Sequence, residues 1–155
     1  MKRKKNQKLL CLLVLVSLLA IIVPAEKVQA AARTGTYKKH FVGAGAESYR
    51  TVVIKKITKK QVVFQILYDR SNPYRSAYTQ KIVGKRKGNT VTFQYRDKGW
   101  GEKGKGTMKL SKKYVRIKTT TTGRFGSFQL GSWIGTEGKW FKLKRVSASK
   151  KFIYY

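Results

Sequence analysis

Few residues in this 155-residue chain can do chemistry, and their types limit what that chemistry is. His40 is the only histidine and Cys11 the only cysteine. A nucleophile–histidine–carboxylate arrangement therefore has to pass through His40, with Ser48 or another hydroxyl and Asp69 or Asp97 as partners. Past residue 30 the carboxylates are Glu47, Asp69, Asp97, Glu102 and Glu137. Two of them could in principle form an acid–base pair of the glycosidase kind. Asp97 and Glu102 are the closest in sequence, but each has Lys or Arg nearby, so an ion pair or a turn cap is the expected role. Zinc needs several Cys, His or carboxylate ligands and calcium a cluster of oxygens, and the scattered acids supply neither. No catalytic residue, metal site or cofactor is assigned, and a carboxylate-dependent hydrolase stays as the enzymatic alternative.

The second place to look is GWGEKGKG, residues 99–106. Gly99, Gly101 and Gly104 fit G-x-G-x-x-G, and Gly104-Lys105 resembles the end of an ATP-type loop. Such loops work by pointing backbone N–H groups at phosphate from the start of a helix. Here TMKLSKKYVRIK follows, which alternates with period two and predicts strand. The ATP-type signature also fails, because Gly106 stands where a metal-binding hydroxyl is needed. The glycines are expected to permit a bulge, strong coiling or close approach of a ring, with Trp100 as the ring.

The elements around these residues are nearly all strands. Period-two alternation marks Ser48–Thr58, a segment from Gln61, Tyr74–Gly84 and Asn89–Asp97, and in the last Val91, Phe93 and Tyr95 share one face. GKGTMKL, YVRIKTT, GSFQLGSWI and GKWFKLKRV continue the pattern, and Gly35–Phe41 is a short strand at the start. Short connections make the pairing antiparallel. The predicted fold is all-β, a single small antiparallel up-and-down β-barrel of about eight strands, since closure removes exposed edges. A two-sheet β-sandwich is the alternative.

Residues 1–30 read as a signal peptide: a basic start, the apolar run Leu9–Val23, then small residues, with cleavage expected after Ala30 or else Ala32. Residues 31–155 form the domain. The chain holds 36 Lys and Arg and six Asp and Glu, of which residues 1–30 contribute six and one, leaving about +25 on the domain. Without a cysteine in the domain, stability has to come from packing and hydrogen bonds. The expected location is secreted or extracellular, with possible attachment to the cell surface.

So high a charge favours anionic partners, an anionic cell-wall polymer or a lipid surface. Basic clusters run from Lys55–Lys56 and Lys59–Lys60 through Lys85, Arg86 and Lys87 to Lys112 and Lys113, Lys142–Arg145 and Lys150–Lys151. Lys85, Arg86, Lys87, Lys112 and Lys113 are the candidate contacts. In sequence these charges touch nearly every strand and turn, whereas a dedicated nucleic-acid groove concentrates them, so nucleic acid is expected to bind only non-specifically. Tyr95, Trp100 and Trp133 are candidates for a small-ligand pocket at a barrel mouth.

Asn89–Lys118, with D-x-G-W-G and G-x-G-T-M-K-L, resembles small exported lipocalin-like β-barrel domains of Gram-positive bacteria. The resemblance covers about a quarter of the domain and implies a lipocalin-like barrel, without assigning a catalytic residue. The expected function is an exported, non-enzymatic binding or structural protein drawn to anionic envelope components, or a small-ligand-binding barrel.

Overall fold

The computed structural model describes residues 32–43, 45–99, 101–123 and 134–152. These form nine strands: β1 Gly35–Gly43, β2 Ala46–Ile57, β3 Gln61–Arg70, β4 Arg75–Tyr78, β5 Ile82–Lys87, β6 Thr90–Arg96, β7 Lys103–Leu110, β8 Tyr114–Gly123 and β9 Phe141–Ser147. All pairings are antiparallel, in the order β2-β1-β9-β8-β7-β6-β5-β3-β4, and β2 also pairs with β3. That extra pairing closes a ring of eight strands, with β4 as one addition on the edge of β3. The barrel expectation holds, and the two-sheet alternative does not describe a single closed ring. The architecture is compatible with a lipocalin-like fold.

Sequence alternation turns into an inside and an outside because side chains on a strand point to opposite faces. On β6, Val91, Phe93 and Tyr95 are buried while Thr92, Gln94 and Arg96 are exposed. The same rule places Tyr37, Val52, Ile54, Val62, Phe64, Ile66, Met108, Leu110, Val115, Ile117 and Leu143 in one continuous core. Phe64 and Phe93 meet edge to face at 4.9 Å inside it.

Tyr74–Gly84, read in sequence as one strand, is split into β4 and the start of β5. β3 pairs with β5 over Gln61–Phe64 and with β4 over Leu67–Arg70. At the break, Thr79 serves β3 with its side chain: the Ile66 N–H donates to Thr79 Oγ1 at 3.1 Å. The Gln65 amide donates to the Thr79 carbonyl at 2.9 Å. A hydroxyl thus takes the place of a ladder acceptor, and the Thr79 N–H in turn donates to the Ile66 carbonyl at 2.9 Å, so both backbone groups of Ile66 are paired across the break. The expected strand GSFQLGSWI lies outside the described residues except for Ile134.

In an up-and-down barrel, alternate connections fall at the same end. One end holds the turns between β2 and β3, β5 and β6, and β7 and β8, together with the end of β9. The other end holds the connections between β1 and β2, β3 and β4, β6 and β7, and β8 and β9.

Candidate functional site

The two ends differ in charge. Glu47 begins β2, Asp69 ends β3, Asp97 and Glu102 bracket the β6–β7 loop, and Glu137 lies between β8 and β9. All five carboxylates past residue 30 therefore belong to one end. At the opposite end the turns carry Lys59, Lys60, Lys87, Lys112 and Lys113, every one exposed. Lys55 and Lys56 close β2 there, and Lys150 and Lys151 follow β9. The topology thus gathers these lysines at an end that holds no carboxylate among the described residues, while the other end mixes the five carboxylates with Arg70, Arg75, Lys98 and Lys139.

Hydrogen bonds tie these turns into a rim. The Arg86 N–H donates to the Lys60 carbonyl at 2.7 Å. The Arg86 guanidinium donates to the carbonyls of Thr58 and Gly88 at 2.8 and 2.7 Å. The Leu110 N–H reaches the Asn89 carbonyl at 2.8 Å, and the Arg145 N–H the Lys113 carbonyl at 3.0 Å. Arg145 then holds Thr34 through two guanidinium bonds, at 3.0 and 3.2 Å. Gly88 takes φ +58° at the first position of a two-residue hairpin loop, where a side chain would be strained. Arg86 is therefore a brace of the rim, with Lys87, Lys112 and Lys113 exposed on its turns, while Lys85 is exposed further along β5, on the outer wall opposite Thr92.

The basic character continues up the outer wall. Register places Lys142 opposite Arg116, Arg116 opposite Lys109, Lys109 opposite Thr90, and Thr90 opposite Lys87. Like charges directly across a sheet destabilise it. Part of the repulsion is offset by Trp140, whose ring has Lys109, Arg116 and Lys118 at 5.2–5.4 Å. Lys142 likewise sits 4.5 Å from the Tyr114 ring.

The glycine stretch proves to be a strand start, as its alternation predicted, and among the described residues Phe93 and Tyr95 are the rings over it. Phe93 pairs with Gly106 and Tyr95 with Gly104. A Cβ on Gly106 would lie 2.4 Å from Phe93 Cζ, and one on Gly104 would lie 2.6 Å from the Tyr95 ring. β7 therefore comes down onto two core rings that no other residue type would admit. Trp100 and Trp133 lie outside the described residues.

At the end holding the carboxylates, Glu102 is buried and heavily hydrogen-bonded. Its Oε1 accepts from the Tyr95 hydroxyl at 2.7 Å, the Thr121 hydroxyl at 3.0 Å and the Gly135 N–H at 2.8 Å. Its Oε2 accepts from the Ile134 N–H at 3.2 Å. Arg50 donates to the carbonyls of the same two residues, at 2.8 and 2.9 Å. Glu102 and Arg50 thus grip one short segment from its N–H and carbonyl sides. Burial lowers the pKa of Arg50, opposed by the charges of Tyr68 and Glu102. Burial also drives the Tyr95 hydroxyl far above its ordinary value, and Glu102 adds to the effect.

Asp97 caps the β6–β7 loop, its Oδ1 accepting from the Glu102 N–H at 2.9 Å. That is the turn cap expected from sequence. Asp69 accepts from the Ser76 hydroxyl at 2.9 Å. His40 stacks on Tyr49 at 4.5 Å and lies 3.4 Å from Glu47, on the outside of the barrel. Glu47 is held below the usual carboxylate range by the Tyr49 hydroxyl first and by His40 second. Among the described residues no group of three or more His, Cys, Asp or Glu is placed to hold a metal ion. Tyr95 is buried with its hydroxyl committed to Glu102. Sequence reasoning missed the role of Glu102 because Thr121, Ile134 and Gly135, three of the partners named above, lie 19 to 33 positions further along the chain.

Comparison of the chain with protein-family models, with curated proteins and with solved structures returned no match.

Proposed function

We propose that this protein is an exported, non-enzymatic binding module that attaches to phosphate-bearing cell-envelope polymer through the basic end of its barrel. The observation behind this reading is the segregation of the carboxylates. Every carboxylate past residue 30 sits at one end, and the other end presents lysines from three neighbouring turns. A polymer with closely spaced negative charges engages several of them at once, so weak single contacts add to useful retention. The braced rim supports the reading, because lysines on hydrogen-bonded turns lose less freedom on binding than lysines on a mobile tail. The signal-like start of the chain supports a location where such polymers are found.

The test is retention of the secreted domain on isolated envelope material. Binding should weaken steeply between roughly 50 mM and 500 mM salt. Removal of phosphate from the material should abolish it. Retention that is indifferent to salt and to phosphate would overturn the proposal.

A further inference from the structure

Away from the basic end, the outer wall carries a groove that follows β7. A hollow of about 750 Å³ has Lys85, Lys105, Lys118, Thr92, Thr107 and Thr120 along its sides, with Gly106 and Phe93 also lining it. A second hollow of about 480 Å³ shares Gln94 and Lys105 with the first and runs on to Arg96 and Lys103. We propose that this groove binds one strand of a linear, hydroxyl-rich phosphodiester polymer, laid along β7. The inference rests on the reading of the protein as a polyanion binder, but uses different residues from the basic end.

Register gives the groove its shape. Lys85, Thr92, Thr107 and Lys118 form one row across β5 to β8. Strands are about 4.8 Å apart, so the two outer lysines stand roughly 14 Å from each other on opposite walls, with the threonines between them. Along β7, Lys103 and Lys105 point outward at a spacing of about 6.7 Å. Glycine at the two β7 positions facing Phe93 and Tyr95 lets the strand pack directly on those rings, with no Cβ between them. The glycines thus serve a polyanion site after all, by letting a strand pack closely between lysines and not by cradling a phosphate at a helix start.

The side chains choose among polyanions. The cations of the larger hollow are all lysines, point charges that bind phosphate without the bidentate fork that arginine offers to phosphate and carboxylate alike. None of Lys85, Lys105 and Lys118 lies within ion-pair distance of a carboxylate among the described residues. Thr92, Thr107, Thr120 and Gln94 offer hydroxyl and amide partners to the hydroxyls of a polyol backbone. Single-stranded nucleic acid is bound on exposed aromatic platforms. The one aromatic residue lining the larger hollow, Phe93, is 6% exposed and offers none.

The experiment uses the secreted domain and a glycerol-phosphate oligomer, with affinity read by calorimetry over a series of salt concentrations. Lys105→Gln with Lys118→Gln should weaken binding about tenfold and lower the slope of log K against log salt by about 1.4, or about 0.7 for each phosphate no longer neutralised. Lys112→Gln with Lys113→Gln removes the same charge at the basic end and should cost the oligomer less. Gln94→Trp fills the groove without changing charge and should also weaken binding, with its melting temperature reported alongside. Equal losses from the two lysine pairs, with retention on envelope material intact, would overturn the groove alone. Failure of the unaltered domain both to bind the oligomer and to be retained on envelope material would overturn the groove and the wider reading together. Tighter binding of oligothymidylate of equal charge, or of a sulfated glycan, would overturn the assignment of polymer class.

Discussion

The Tyr95 hydroxyl donates to Glu102 Oε1 at 2.7 Å, joining the last inward residue of β6 to the loop residue that precedes β7. Through the same carboxylate, the Ile134–Gly135 segment is fixed across the barrel end. One acid therefore closes a connection that the hairpin ladder does not reach. Its removal leaves several buried donors without an acceptor. Glu102→Ala should destabilise the domain by about 3 kcal/mol in denaturant unfolding, and Glu102→Gln by less, since the amide keeps one acceptor oxygen. Equal stability of Glu102→Ala and the unaltered domain would remove this structural role.

The Phe93–Gly106 contact should behave as a coupled pair. Gly106→Ala places a methyl against the ring and near the Lys118 carbonyl, at 2.4 and 2.8 Å before any relaxation. A loss of about 2 kcal/mol is expected, as for overpacking elsewhere. Phe93→Leu alone should also destabilise, by opening a cavity. Together the two changes should cost less than the sum, because the smaller side chain makes room for the added methyl. Additive losses would mean that the backbone contact, and not the ring, sets the penalty.

High pH should expose the buried tyrosine. Burial raises the pKa of Tyr95 in the folded state above the value of about 10 expected in the unfolded chain. Below pH 10 both states hold the proton and stability is unaffected. Above it the unfolded chain releases the proton first, so stability falls as pH rises. Tyr37 shifts in the same direction, with burial the leading cause. Tyr95→Phe should lower stability at neutral pH by about 1 kcal/mol through the lost hydrogen bond. It should also make the alkaline decline shallower, as read by denaturant melts at several pH values. An unchanged alkaline slope would contradict the burial of an un-ionised Tyr95.

The strands were legible in the sequence because one buried face imposes period two, as Val91, Phe93 and Tyr95 show. The break at Thr79 was not, since a side-chain hydroxyl taking the place of a ladder bond leaves alternation almost untouched. Trp100, the ring expected over the glycines from nearness in sequence, lies outside the described residues. The alternation of β6 already held two further rings: folding β6 back on β7 places Phe93 and Tyr95 opposite Gly106 and Gly104. The charge pattern was also present but hidden by chain order. Taken consecutively, the basic clusters look spread out. Taken at alternate connections, as an up-and-down barrel requires, they fall at one end and the acids at the other. Glu102 was beyond such rules, because its ligands come from a third strand and from a segment on the far side of β8.

The most direct measurement compares two charge-matched variants for retention on phosphate-bearing envelope material at a fixed low salt concentration. One carries Lys112→Gln and Lys113→Gln at the basic end. The other carries Arg75→Gln and Lys139→Gln, both exposed residues at the opposite end. Net charge falls equally in the two, so any difference reports where the charge sits. Attachment through the basic end predicts a clear loss of retention for the first variant and little change for the second. Equal losses, or a greater loss from the second, would contradict it.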